Sequence, residues 1–159
     1  MAKTNEFEIY VKLAVGGTAS NTSLDLTDYV DIADNEALDV DEIDIVLDPT
    51  NTFASGGAAN QTYIFQLADS NIQAFVSHAD RTSLYTQQQM YGNTDNMMSH
   101  TESFSSLTPL IVNKTLFCRH EHDGATGTID FTLRIKGKIV KPSAKDYMAL
   151  VLTQTGNVA

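Results

Sequence analysis

The strongest constraint on this chain's fold is a strict two-residue alternation of apolar and polar side chains, present near both ends of the sequence. Close to the start, Phe7, Ile9, Val11, Leu13 and Val15 share one parity, while Glu6, Glu8, Tyr10 and Lys12 hold the other. Towards the end, Ile129, Phe131, Leu133, Ile135 and Ile139 alternate with Thr128, Asp130, Thr132, Arg134, Lys136 and Lys138. Successive side chains of a strand point to opposite faces of its sheet, so this spacing describes strands with one face buried and one wet. A third run, Ile43, Ile45 and Leu47 set among Glu42, Asp44 and Val46, repeats the pattern. It stops at Asp48-Pro49, where proline removes a ladder donor.

Shorter strands are expected around Tyr63, Phe65 and Leu67, from Ile72 to Val76, from Leu110 to Val112 and from Thr115 to His122. Turn chemistry separates them. Gly16-Gly17 and the polar run through Ser23 end the first strand, Asp34-Asn35 breaks the next segment, and 50–61 reads as a surface loop. Asp123-Gly124-Ala125-Thr126-Gly127 is expected to close a hairpin before the last strand. Residues 78–106 show the least pattern. A short helix is expected over Ser83–Met90, and the remainder, with Met97, Met98 and Phe104, as a contact loop. After Pro142, Ser143 and Asp146 have the spacing of a capping box, and Tyr147, Leu150 and Val151 form one apolar face of a short helix closed by Gly156. Seven to nine short strands without a βαβ rhythm imply an all-β fold, an antiparallel β-sandwich or a barrel, forming one domain over 1–159.

The chain has 159 residues, 42 % apolar and only 19 % charged, so much of its wet surface is Thr, Ser, Asn and Gln, which favours strands over helices. The net charge is −10, and all of that excess lies in residues 1–48, which hold 12 acidic and 2 basic side chains. Asp25–Asp48 carries ten carboxylates and no Lys or Arg. Such a surface repels phosphate, so direct nucleic-acid binding is not expected. Arg134, Lys136, Lys138, Lys141 and Lys145 form an opposite stretch. The two stretches either steer like subunits together or lie side by side within one fold. Residues 1–15 interleave polar and apolar groups and so lack a signal-peptide pattern, which points to synthesis in a cytosol. Cys118 is the only cysteine, excluding an intrachain disulfide.

Chemistry has few footholds. Cys118, His120 and His122 share a strand parity, and His78, His100 or a carboxylate could complete a zinc set. The spacing is unusual for structural zinc, and the competing reading is a small buried thiol with histidines near a turn. Asp39, Asp41, Glu42 and Asp44 could offer oxygens to calcium, but they lack an EF-hand's glycine and loop pattern, and a strand sends alternate carboxylates to opposite faces. No G-x-S-x-G elbow or phosphate-binding loop occurs. Paired carboxylates for glycoside hydrolysis are diagnostic only by their separation in space. Asn21, Asn60 and Asn113 begin N-x-Ser/Thr sequons, as expected by chance in so Asn- and Thr-rich a chain. The expectation is a protein that is not an enzyme, with no catalytic, cofactor or metal residues.

In organisation, the amphipathic opening strand, the stretch LDLTDYVDIADNEALDVDEIDIVLDP, the polar middle and the closing TIDFTLRIKGKIVKPSAKDYMALV resemble the single jelly-roll capsid proteins of tailless icosahedral viruses, especially those with an internal membrane. The resemblance implies an eight-stranded jelly roll that self-assembles through loop and edge contacts into the shell of a virion. Its partners would be copies of itself, other capsid subunits and an underlying viral membrane. No functional residue carries across. A ring- or tube-forming phage structural protein and a non-catalytic carbohydrate-binding sandwich are the alternatives; the absence of Trp counts against the latter.

Overall fold

A computed structural model of the chain describes residues 4–15, 19–47, 60–77, 79–80, 82–92, 101–103, 110–123 and 129–155. Nine strand segments and one helix follow in order: β1 (Phe7–Val15), β2 (Ala19–Leu24), β3 (Ala37–Leu47), β4 (Asn60–Ala68), β5 (Ser83–Gly92), β6 (Thr101–Ser103), β7 (Leu110–Val112), β8 (Leu116–Asp123), β9 (Ile129–Val140) and α1 (Ala144–Thr155). One sheet runs β1-β9-β3, with β6 and β7 sharing the far edge of β3; the other runs β2-β8-β4-β5. All pairs are antiparallel.

Since β6 and β7 share one edge position, the fold has eight positions. Their pairing is nested: first with last (β1–β9), second with seventh (β2–β8), third with sixth (β3–β6/β7) and fourth with fifth (β4–β5). That order is the jelly roll, a sandwich of two interlocked Greek keys.

The core lies between the sheets. One sheet contributes Ile9, Leu13, Leu38, Val40, Ile43, Ile45, Phe131, Leu133, Ile135 and Ile139, and the other Tyr63, Phe65, Leu67, Tyr85, Leu116 and Cys118, all buried. Tyr63 of β4 and Phe131 of β9 stack across the interface at 3.8 Å between ring centroids. Burying a side chain of this class contributes about 1.5–3 kcal/mol, so the alternation seen in the sequence is the fold's main driving force.

Several expectations change. The run through Ser23 does not merely end the first strand, because Ala19–Leu24 is itself β2. Ser83–Met90 is strand, not helix: Tyr85 and Gln87 face inward at a two-residue spacing that β4 enforces from Asn60 to Leu67. Residues 72–76 do not form a strand. They belong to a loop folded over the outside of the second sheet, where the Gln66 side chain acts as a surrogate partner. Its amide donates to the Val76 carbonyl and accepts from the Val76 N–H, both at 2.9 Å, so an outward-facing residue is only 1 % exposed. The strands flanking 123–127, β8 and β9, sit in opposite sheets, so this connection does not close a hairpin. Asn60 and Gln61, expected in the loop 50–61, open β4, and Thr101–Ser103 of the expected contact loop is β6, while residues 50–59, 93–100 and 104–106, with Met97, Met98 and Phe104, lie outside the described residues.

Two single-turn 3-10 helices, Leu26–Asp28 and Ile32–Asp34, replace the acidic segment before β3. Asp25 and Asp31 cap them by accepting backbone N–H bonds, and Leu26 and Val30 enter the core. In α1, Ser143 Oγ accepts from the Asp146 N–H at 3.2 Å and donates to its carboxylate at 2.6 Å, the expected capping pair with Asp in place of Glu. Tyr147 is buried, and its hydroxyl donates to the Ile32 carbonyl at 3.3 Å, tying the helix to the second 3-10 turn. The Leu150 and Val151 side chains and Gly156 lie outside the described residues.

Candidate functional site

The two charged stretches meet inside the fold. β3 and β9 are neighbours, and their register places Asp44 beside Arg134, Glu42 beside Lys136 and Asp39 beside Lys138 on the outer face. Arg134 grips Asp44 with two bonds, Nε to Oδ1 at 2.9 Å and Nη2 to Oδ2 at 2.6 Å. Lys138 lies 3.6 Å from Asp39 and 3.5 Å from Asp41, and Lys136 reaches Glu6 at 3.2 Å. These contacts raise the pKa of all three cations, chiefly through the Asp44 hydrogen bond for Arg134, the Glu6 hydrogen bond for Lys136 and the Asp41 charge for Lys138. Lys141 pairs with Asp34. The acidic and basic stretches therefore satisfy each other within one chain, the side-by-side alternative.

A bulge sits at the centre of this ladder. Val40 pairs with Gly137 and Glu42 with Lys136, leaving Asp41 as an extra residue in β3. The β3 edge is interrupted at the same place, since β7 pairs up to Val40 and β6 resumes at Glu42. Gly137 is needed here: a Cβ on it would come under 3.0 Å from the Asp39 carbonyl oxygen and 3.2 Å from Leu38 Cδ1.

Two of the candidate zinc ligands have described side chains, and both lie in the core. Cys118 and His120 are both buried on the inner face of β8, where Thr22 and Leu67 flank the thiol and Ser20 and Phe65 flank the imidazole in register. The His120 ring lies 6.3 Å from that of Tyr63. Burial pushes the Cys118 thiol up to about 12, the behaviour of a core hydrophobe rather than a thiolate ligand. The His122 side chain, His78 and His100 lie outside the described residues. Asp39, Asp41 and Asp44 are engaged by Lys138 and Arg134. Among the described residues no group of three or more His, Cys, Asp or Glu could hold a metal ion.

Concave features are shallow. A depression of about 510 Å³ lies over the 3-10 turns between Thr27 and Glu36, with Tyr29 and Ile32 exposed at its surface. Its carboxylates have structural work: Asp31 caps the second turn, and Glu36 accepts from the Asp31 N–H at 2.9 Å. A smaller one of about 170 Å³ lies between Asn21, Asn71 and Phe117. Neither gathers an acid, base and nucleophile within reach of one another.

What the fold leaves open are edges. β1 bounds the first sheet and carries Glu8 and Lys12; its far edge is split between β6 and β7. The second sheet ends on β2, ASNTSL, and β5, SLYTQQQMYG, sixteen residues without a charge or proline. Sequence reasoning missed both strands. With Ser, Thr, Asn and Gln at inward and outward positions alike, they offered no alternation to find them by.

No protein-family model matches the chain, and no curated protein sequence matches it. Among solved structures, the fold is similar to that of VP1 of Washington University polyomavirus, solved as an unassembled pentamer: 8 % identity over 89 % of this chain and 95 % of that one, with a TM-score of 0.53. A decameric BFDV capsid protein aligns over 85 % of this chain and 97 % of its own at 12 % identity, with a TM-score of 0.38. At such identities the likeness to VP1 is one of fold alone.

Proposed function

We propose that this chain is a structural subunit of a viral capsid, in which residues 1–159 form one sandwich domain that assembles with copies of itself into the shell of a virion. The observation that carries the reading is the complete nested jelly-roll pairing, which follows VP1 over 89 % of the chain. The charge distribution agrees. The basic side chains of β9 are neutralised by the chain's own carboxylates, leaving no cationic stripe on that strand to track a nucleic-acid backbone. The subunit then works over other capsid proteins or a viral membrane, without touching the genome. The role proposed is non-catalytic and held by surfaces.

The test is negative-stain imaging of the purified chain, alone and with lipid vesicles. Rings, capsomers or closed shells of one size support the proposal. Open tubes of constant diameter would move the protein to the tube-forming class, and isolated monomers under all conditions would remove the capsid reading.

A further inference from the structure

Resting on that assembling role, we infer that the second sheet continues from subunit to subunit, the free edge of β5 pairing with the free edge of β2 on a second copy of this chain. Among the described residues no strand pairs with the outer edge of either. An open edge exposes a row of N–H and C=O groups, and monomeric proteins blunt such edges with charges, proline or breaks. The first sheet is blunted, by Glu8 and Lys12 on β1 and by the split between β6 and β7. On the second sheet β2 and β5 carry no charge or proline, and the one register shift of β5, at Leu84, lies at its start and leaves Tyr85–Gly92 regular against β4.

The occupant follows from charge and strand direction. Copies of a chain with net charge −10 repel each other overall, and these two edge strands carry no charge of their own to oppose their approach. The order β2-β8-β4-β5 is antiparallel at every step, so β2 and β5 run in opposite directions. A neighbour in the same orientation therefore offers β2 antiparallel to β5, and the ladder continues unchanged. Side chains match as well. Gln87 of β5 faces inward at 4 % exposure; its Oε1 accepts from the Tyr85 hydroxyl at 2.6 Å, while its Nε2 is buried without a hydrogen-bond partner among the described residues. On β2, Ser20 and Thr22 face the same inner side, opposite His120 and Cys118, and bring hydroxyl acceptors beside the Gln87 amide in a continued sheet. The contact joins different patches, so it repeats head to tail, closing into a ring where the rotation between neighbours allows it and otherwise running on as a filament.

The test uses Ser23→Cys and Gln88→Cys, at exposed positions on the outer side of β2 and β5, with a short bis-maleimide crosslinker. Cys118 remains silent because it is buried. The double variant is expected to give a covalent ladder, and each single variant no crosslinked species. Dimers from Gln88→Cys alone would replace the proposal with a two-fold β5–β5 contact. An assembled wild type whose double variant gives no ladder would sink the edge pairing but leave the capsid reading standing. A wild type that is monomeric throughout would remove both. Circular dichroism confirms that each variant is folded before crosslinking.

Discussion

Arg134 offers a quantitative test of whether the charged ladder on the outer sheet holds the fold together. Its partner is nearly enclosed: the Asp44 side chain is 8 % exposed, whereas that of Arg134 is 36 % exposed. In register, Asp44 lies between Arg134 of β9 and Thr101 of β6. Arg134→Met keeps the aliphatic packing and strands the carboxylate. Removing one partner of a buried pair costs about 3–5 kcal/mol, while exposed pairs contribute about 0.2–1 kcal/mol. With one partner buried and the other reaching solvent, a loss of about 2 kcal/mol is expected. Each kcal/mol lowers Tm by about 2–4 °C in a domain of this size, so the fall is about 4–8 °C. Urea unfolding followed by circular dichroism measures it, with Asp44→Asn and the double variant completing a thermodynamic cycle. The double variant should lose clearly less than the sum of the singles, because no charge is left stranded. Additive losses, or an Arg134→Met midpoint equal to wild type, would refute the claim that the pair is coupled and partly desolvated.

Four further outcomes follow from the same packing. Gly137→Ala drives a methyl into the Asp39 carbonyl and should cost at least as much as Arg134→Met, although alanine is the better residue at an unconstrained strand position; an unchanged urea midpoint would contradict the close approach at the bulge. Leu133→Asp buries a charge at a position with 0 % exposure, costs more than about 4 kcal/mol and should abolish the strand signal in circular dichroism, whereas a fully folded variant would remove the β9 assignment. Lys138→Glu places a third carboxylate beside Asp39 and Asp41, so it should lower the unfolding midpoint at low salt, with the deficit shrinking as salt is added; a salt-independent midpoint equal to wild type would show that the lysine is not paired. Cys118, whose thiol is raised to about 12, should resist maleimide at pH 8 in the native protein and react once urea unfolds the chain, and rapid native labelling would contradict its burial.

The sequence was legible where one face of a strand is buried over a long run. β1, β3 and β9 declare themselves because Ile9, Leu13, Ile43, Ile45, Phe131 and Leu133 must all reach the same inter-sheet space. β2 and β5 were not legible, because they are edge strands whose inward positions include Ser20, Thr22 and Gln87, and polar residues on both parities erase the alternation. Gln87-Gln88-Gln89 reads locally as helix, and pairing with β4 overrides that preference. Residues 72–76 look like a strand by composition, but their hydrogen-bonding partner is the Gln66 side chain rather than a neighbouring strand. The partner of each strand is likewise a long-range property. Turn residues after β8 announced a reversal, yet nothing local states that β9 pairs with β1 across the whole length of the chain. For the same reason the charged stretches were found in sequence, while their mutual neutralisation appeared only once β3 and β9 were adjacent.

The central claim, that this fold acts by joining copies of itself, is tested most directly by the protein's mass in solution, measured by light scattering on a size-exclusion column over a range of concentration and salt. A discrete multiple of the 17.4 kDa chain, growing with concentration and constant in size once formed, is the predicted result. A mass of one chain at every concentration and salt, for protein that circular dichroism shows to be folded, would contradict it.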